Sequence, residues 1–348
     1  MKKKVPIILV TLLMICGCSN NHIFKDEPTP VEFVTQFMEL GYDQESAEIV
    51  DTFSNETKEL LLTKYDENIN ELLKHNLSEE EVLSFINCYY DVDTYLYLLD
   101  NPSTDIELFN ELYNDKFFLL KNIDLYYKYE NEFENTRSLV EYVNSKAYKK
   151  GYEEYEDADL SKDTLMIASK IYYLANYIPS DLVDVEEAYY CLSLPQLRSV
   201  AWDAYKNMAD AARKEGLYFY ISTAYRSYDF QNTLYTNYLK NDPQEVVDTY
   251  SSRPGFSDHQ IGLSADIRTL DCAFDAFTNT PEANWLKDNA YKYGFIMRYP
   301  KGKESITGYI PESWHFRYVG EDVAKIIYDN NITYDEYYAY YIENKWAN

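Results

Sequence analysis

Two short segments carry the residues whose types and spacing can do chemistry. The first contains Ser257, Asp258, His259, Gly262 and Asp266; the second contains Glu312, Trp314, His315 and Arg317. The 348 residues include only 4 histidines, and His22 and His75 lie in polar surroundings far upstream, so His259 and His315 are the two that sit among other candidate ligands. A catalytic zinc ion takes three protein ligands and keeps a further position for a water, whose pKa it lowers to about 7. His259, Asp266 and His315 offer two imidazoles and one carboxylate, a suitable set. Glu312, just before His315, can then act as the general base that takes the water proton and hands it to a leaving amine. The bland alternative is that a histidine beside an aspartate is an ordinary surface or core pair, and spacing alone leaves both readings open.

These groups converge only if the chain bends in the right places. A helix would set His259 and Asp266 two turns apart, but Gly262 and the preceding Arg253, Pro254 and Gly255 favour a loop running into a strand. If His315 begins a strand, Arg317 and Val319 share its face. Leu217–Thr223 and Phe295–Arg298 read as further short strands. Leu197, Ala201, Ala204, Met208 and Ala212 form one helical face that ends at Gly216, and Ser227 can cap a helix reaching about Lys240. Helices mixed with short strands predict an α+β domain with a small central antiparallel sheet flanked by helices. Lys301–Gly308 has the letters of a phosphate loop without the GxxxxGK[ST] order, so no nucleotide site is expected there.

Upstream, residues 31–155 read as an all-α domain. Phe33, Phe37 and Leu40 recur at helical spacing, and Asp43, Ser78 and Ser103 resemble helix caps. No chemistry is carried there, which suits a helical spacer or a protein-binding module. The acidic stretch Glu153–Asp157 places the boundary with a second domain, residues 156–348. The N-terminus has Lys2, Lys3 and Lys4 followed by an apolar run, Val5–Ile15, shorter than the roughly 20 residues of a membrane-spanning helix. Ile15, Cys16, Gly17 and Cys18 resemble a bacterial lipobox. Residues 1–17 are therefore expected to be a lipoprotein signal peptide, Cys18 the lipidated residue and residues 18–30 a tether. The protein would then be extracytoplasmic and anchored to the cell membrane by lipid. Cys88, Cys191 and Cys272 would remain, an odd number without a CxxC pair, which supports neither a disulfide scaffold nor a cysteine zinc site. The net charge of −27 argues against nucleic acid and against electrostatic docking on an anionic membrane. The 38 tyrosines, each an apolar ring with a polar tip, suit a folded protein with a polar surface.

Taken in order, Ile221–Gln231, Tyr250–Gly255, Ser257–Asp266, Tyr293–Tyr309 and Glu312–Gly320 resemble the VanY-type D-alanyl-D-alanine carboxypeptidases. The resemblance covers about Asn176 to Val323. The family pattern SxHxxGxxxD is met by Ser257, His259, Gly262 and Asp266, and its Glu-Pro-Trp-His element by Glu312, Trp314 and His315. The resemblance implies Zn2+ on His259, Asp266 and His315, with Glu312 as base. It further implies that Arg226 receives the terminal carboxylate of the substrate, a task that suits a bidentate guanidinium. Gln231 and Ser257 are candidates for hydrogen bonds to the peptide. Trp314 can wall the pocket or pack in the core. Arg317 can orient the site or simply pair with an acid. The implied function is a zinc-dependent D,D-carboxypeptidase that removes the terminal D-alanine from peptidoglycan stem peptides. The alternatives are an L,D-carboxypeptidase acting on tetrapeptide stems and a non-catalytic peptidoglycan-binding lipoprotein, and with a wall substrate the helical domain would be a module that docks a wall-synthesis partner. Three departures stand out. Ser264 occupies an expected packing position where the family has Ala, Ser313 replaces the Pro between Glu and Trp, and Pro311 replaces an aromatic.

Overall fold

The computed structural model describes residues 30–64, 66–270 and 274–345. The lipobox with Cys18, the signal peptide and Cys272 lie outside the described residues, as does the tether up to residue 29. The chain divides into two compact units, Met1–Thr104 and Asp105–Asn348.

Among the described residues, the first unit consists of six short helices between Pro30 and Asp100. Five of them begin at a polar cap. The side chains of Asp43, Ser54, Asp66, Ser78 and Asp91 each accept a backbone N–H of the first turn, satisfying donors that the helix itself leaves open. Phe37, Val50, Leu61, Leu72 and Val82 are fully buried in one core, and each such side chain contributes about 1.5–3 kcal/mol of transfer free energy.

The second unit starts earlier than the boundary at residue 155 suggested by the acidic stretch. Helices Ile106–Tyr113 and Thr136–Asn144 belong to it. The cause is packing against the C-terminal segment. The ring of Phe117 stacks on Tyr340 with centroids 3.9 Å apart. Lys146 Nζ lies 2.7 Å from Glu343 Oε1, and Lys303 Nζ lies 2.8 Å from Glu141 Oε2. The acidic stretch is itself built in. Glu156 pairs with Lys146 and Lys149, and Glu156–Asp157 forms a parallel pair with Tyr172–Tyr173.

At the centre of this unit four strands form an antiparallel sheet: β1 (Tyr220–Thr223), β2 (Ser264–Arg268), β3 (Phe295–Tyr299) and β4 (Glu312–Tyr318), in the order β1-β2-β4-β3. Strand alternation divides its two faces. Ala265, Ile267 and Phe316 turn to one side and pack with Tyr205, Met208 and Ala212 of the helix Ser199–Lys214. Ser264, Asp266, His315 and Arg317 turn to the other, and all four are buried. Arg317 thus shares the face of His315 as its spacing predicts, while Val319 lies past the strand's end. This is the small antiparallel sheet with flanking helices expected for an α+β domain.

Candidate metal centre and cleft

Asp266 and His315 face each other across β2 and β4, so the sheet register alone sets one carboxylate beside one imidazole. His259 arrives from a short turn, Asp258–Ile261, that ends at Gly262 with φ 75°. A Cβ at Gly262 would come within 3.0 Å of Leu182 Cδ2 and 3.1 Å of Arg198 Cγ, so the bend needs glycine for both its backbone and its space.

Hydrogen bonds then fix which ring nitrogen faces inward. His259 Nδ1 donates to Ala224 O at 2.7 Å, which leaves Nε2 as a lone pair 3.4 Å from Asp266 Oδ2. His315 Nε2 lies 3.4 Å from Asp258 Oδ2, which leaves Nδ1 turned to Asp266 Oδ1 at 3.2 Å. One ligand atom from each of His259, Asp266 and His315 lies within 4.8 Å of the other two, and all three residues are buried. Asp266 Oδ1 is buried without a hydrogen-bond partner. Two imidazole lone pairs and an orphaned carboxylate oxygen in one buried space call for a cation, and N₂O donors suit zinc.

The electrostatics agree. Burial, and then the neighbouring Arg226 charge, lower the His259 pKa to about 4, so its ring is neutral and able to ligate. For His315 burial works downward, but the carboxylates of Asp258, Asp266 and Glu312 outweigh it and raise the pKa well above the ordinary value. The negative charge that draws a proton to His315 equally draws a metal cation. Glu312 opens β4, with Oε2 3.3 Å from His315 Nδ1. Burial raises its carboxyl above the ordinary glutamate range, partly offset by His315. A raised carboxyl in contact with a candidate metal ligand suits a group that must accept and then release a proton.

Arg226 projects from the turn between β1 and the helix Tyr228–Tyr238, whose N-terminus Ser227 caps. Its Nη2 lies 2.8 Å from Asp266 Oδ2 and 2.9 Å from His259 Nε2. A cleft of about 410 Å³ opens over this group, lined by Arg226, Ser257, Glu312 and Trp314 together with the three candidate ligands. Trp314 also packs against the sheet's core, so both of its readings apply. Gln231 is placed otherwise than expected. It is buried behind Arg226, accepting from Nη1 at 3.4 Å and donating to Ser252 O at 2.8 Å, where it can orient the guanidinium rather than meet a peptide.

Asp258 stands in the first motif segment, but its sequence context assigns it no role. It is fully buried, bonds His315, and receives Arg317 Nη1 at 2.5 Å and the hydroxyl of Ser264. Arg317 therefore pairs with an acid that in turn bonds the candidate ligand His315. Its Nη2 also reaches Thr164 O and Met166 O, at 3.1 and 2.7 Å. Behind it Arg298 is paired with Asp335 at 2.5 Å. Ser264 is more than a packing residue, since its hydroxyl helps hold Asp258. Ser313 Oγ lies 2.5 Å from Thr278 Oγ1, a hydrogen bond at the start of β4 that proline could not make. The place of Asp258 next to His259 gave no signal, because the imidazole whose second N–H it accepts is that of His315, which reaches it only in the fold.

Comparison with known proteins agrees with this geometry. Residues 195–321 match the model of the family described as VanY, D-alanyl-D-alanine carboxypeptidase. The Bacillus subtilis protein YodJ is 44% identical over 184 residues, covering 51% of this chain and 67% of its own. An Enterococcus faecium D-alanyl-D-alanine carboxypeptidase is 30% identical over 250 residues, covering 65% of this chain and 78% of its own. Among solved structures, the LdcB LD-carboxypeptidase superposes with a TM-score of 0.50 and 40% identity, over 53% of this chain and 90% of that one. The chain belongs to the VanY family of D-alanyl-D-alanine carboxypeptidases.

Proposed function

We propose that this protein is a zinc-dependent D,D-carboxypeptidase that removes the terminal D-alanine from peptidoglycan stem peptides. The observation that carries the reading is the convergence of His259, Asp266 and His315 with Glu312 beside them and Arg226 at the rim. A zinc ion on the three ligands would polarise the scissile carbonyl and acidify a water. Glu312 takes the proton of the attacking water and later delivers it to the departing amine of D-alanine. Arg226 holds the substrate's terminal carboxylate, which positions the last peptide bond. Asp258 keeps the His315 ring in the tautomer that presents Nδ1. In keeping with a wall substrate, the chain is anchored on the outer face of the cell membrane by lipid on Cys18.

A second reading, an L,D-carboxypeptidase trimming tetrapeptide stems, is favoured by the likeness to the LdcB LD-carboxypeptidase. The test of the main reading is zinc restoration. Chelator-treated protein should release no D-alanine from a pentapeptide stem, and one equivalent of zinc should restore the release. Equal release with and without metal would refute it.

A further inference from the structure

We propose that the hydroxyl of Tyr299 donates a hydrogen bond to the scissile carbonyl oxygen as that oxygen gains negative charge, a catalytic role for a residue at the end of β3. The role rests on the carboxypeptidase reading of the same cleft.

Tyr299 pairs in register with Glu312 across β3 and β4, so the two side chains share a face of the sheet at the cleft wall. Its ring is held on three sides. The His315 ring stands 5.0 Å away at 65°, the Tyr309 ring is 4.9 Å away, and the Arg298 guanidinium lies 4.9 Å from its centroid. The phenol is therefore placed before substrate arrives, as a donor that stabilises developing charge must be.

Two other phenols of this wall, Tyr309 and Tyr250, are engaged. Tyr309 shares its hydroxyl with Tyr152 at 2.8 Å and Ser252 at 2.9 Å, and Tyr250 donates to Asp242 at 2.8 Å. Tyr299 is almost fully buried yet lines the cleft, and its hydroxyl has no hydrogen-bond partner among the described residues. Attack on the peptide carbon shifts an electron pair onto the carbonyl oxygen, which then needs donors. Ionised Glu312 can only accept, and Arg226 is assigned to the terminal carboxylate. Tyr299 is the neutral donor that stands beside both His315 and Glu312.

The experiment is Tyr299→Phe, which removes one oxygen and keeps the ring contacts. On a pentapeptide stem, kcat should fall about a hundredfold with KM nearly unchanged, the loss typical of one oxyanion donor. Zinc content should stay at one equivalent, and affinity for a phosphinate analogue of D-Ala-D-Ala should fall by a similar factor, since that analogue carries the tetrahedral oxygens. A variant with wild-type kcat and analogue affinity overturns the role. So does a kcat loss matched by loss of zinc, which would make Tyr299 a support for His315. Wild-type protein inactive on the stem peptide would overturn the carboxypeptidase reading itself, and this role with it.

Discussion

Asp266 Oδ1 and His315 Nδ1 stand 3.2 Å apart because their residues occupy facing positions of adjacent antiparallel strands. A slip of one residue in this register would turn one of the two toward the helix-packed face and dismantle the site. Replacing Asp266 by Ala should leave the sheet intact, since its partner strands keep their apolar face. Bound zinc should fall from one equivalent to near none by elemental analysis. Full zinc retention would remove Asp266 from the ligand set.

Glu312 lies 3.3 Å from His315 yet is not needed to complete three ligands. Glu312→Gln should therefore keep zinc while turnover drops by 10³-fold or more, on the order of 4 kcal/mol of barrier, because Gln cannot accept the water proton. Stopped assays with metal analysis on the same sample check this. Near-normal hydrolysis would assign the base elsewhere.

How much of this was legible before the structure depended on the range of the interactions. His259, Asp266, His315 and Glu312 sit in two short segments, and Gly262 announces the bend between the first pair. The strand predicted at Leu217–Thr223 appears as Tyr220–Thr223, and the one at His315–Val319 as Glu312–Tyr318. Asp258 was hidden because its partners Arg317 and Ser264 reach it only through sheet pairing. Gln231 looked like a substrate contact because helix spacing does not say which side of Arg226 it occupies. The boundary at residue 155 misled for a related reason. Helices 106–113 and 136–144 look in sequence like those before them, and contacts far apart in sequence, such as Phe117 with Tyr340 and Glu141 with Lys303, tie this region to the second unit.

Asp258 links His315 to the buried Arg317, both of whose charged groups are shut from solvent. Asp258→Asn can present its amide N–H₂ to His315 Nε2, which favours the wrong tautomer. Zinc affinity should weaken roughly 10- to 100-fold, read by competition with a chelator. Asp258→Ala leaves Arg317 buried without its carboxylate and should cost about 3–5 kcal/mol in chemical denaturation. Unchanged affinity in the first variant would mean that Asp258 does not orient the ligand.

The division of the chain also makes a prediction. Residues 105–348 expressed alone should fold with one cooperative transition, since the core and the site lie within that unit. Residues 156–348 should not, because they lack Phe117, Glu141 and Lys146, the partners of Tyr340, Lys303 and Glu343. Circular dichroism melts of the two fragments decide it. A stable, cooperative 156–348 fragment would restore the later boundary.

The central claim is that this metal centre cuts the last bond of a pentapeptide stem, and mass spectrometry of the products tests it most directly. Zinc-loaded protein should convert the pentapeptide to the tetrapeptide plus one D-alanine and stop there. The C-terminally amidated pentapeptide should be a poor substrate, because Arg226 then lacks its carboxylate partner. An untouched pentapeptide beside a trimmed tetrapeptide would contradict the D,D-specificity and install the L,D-reading. Cleavage at an internal bond would contradict the carboxypeptidase account altogether.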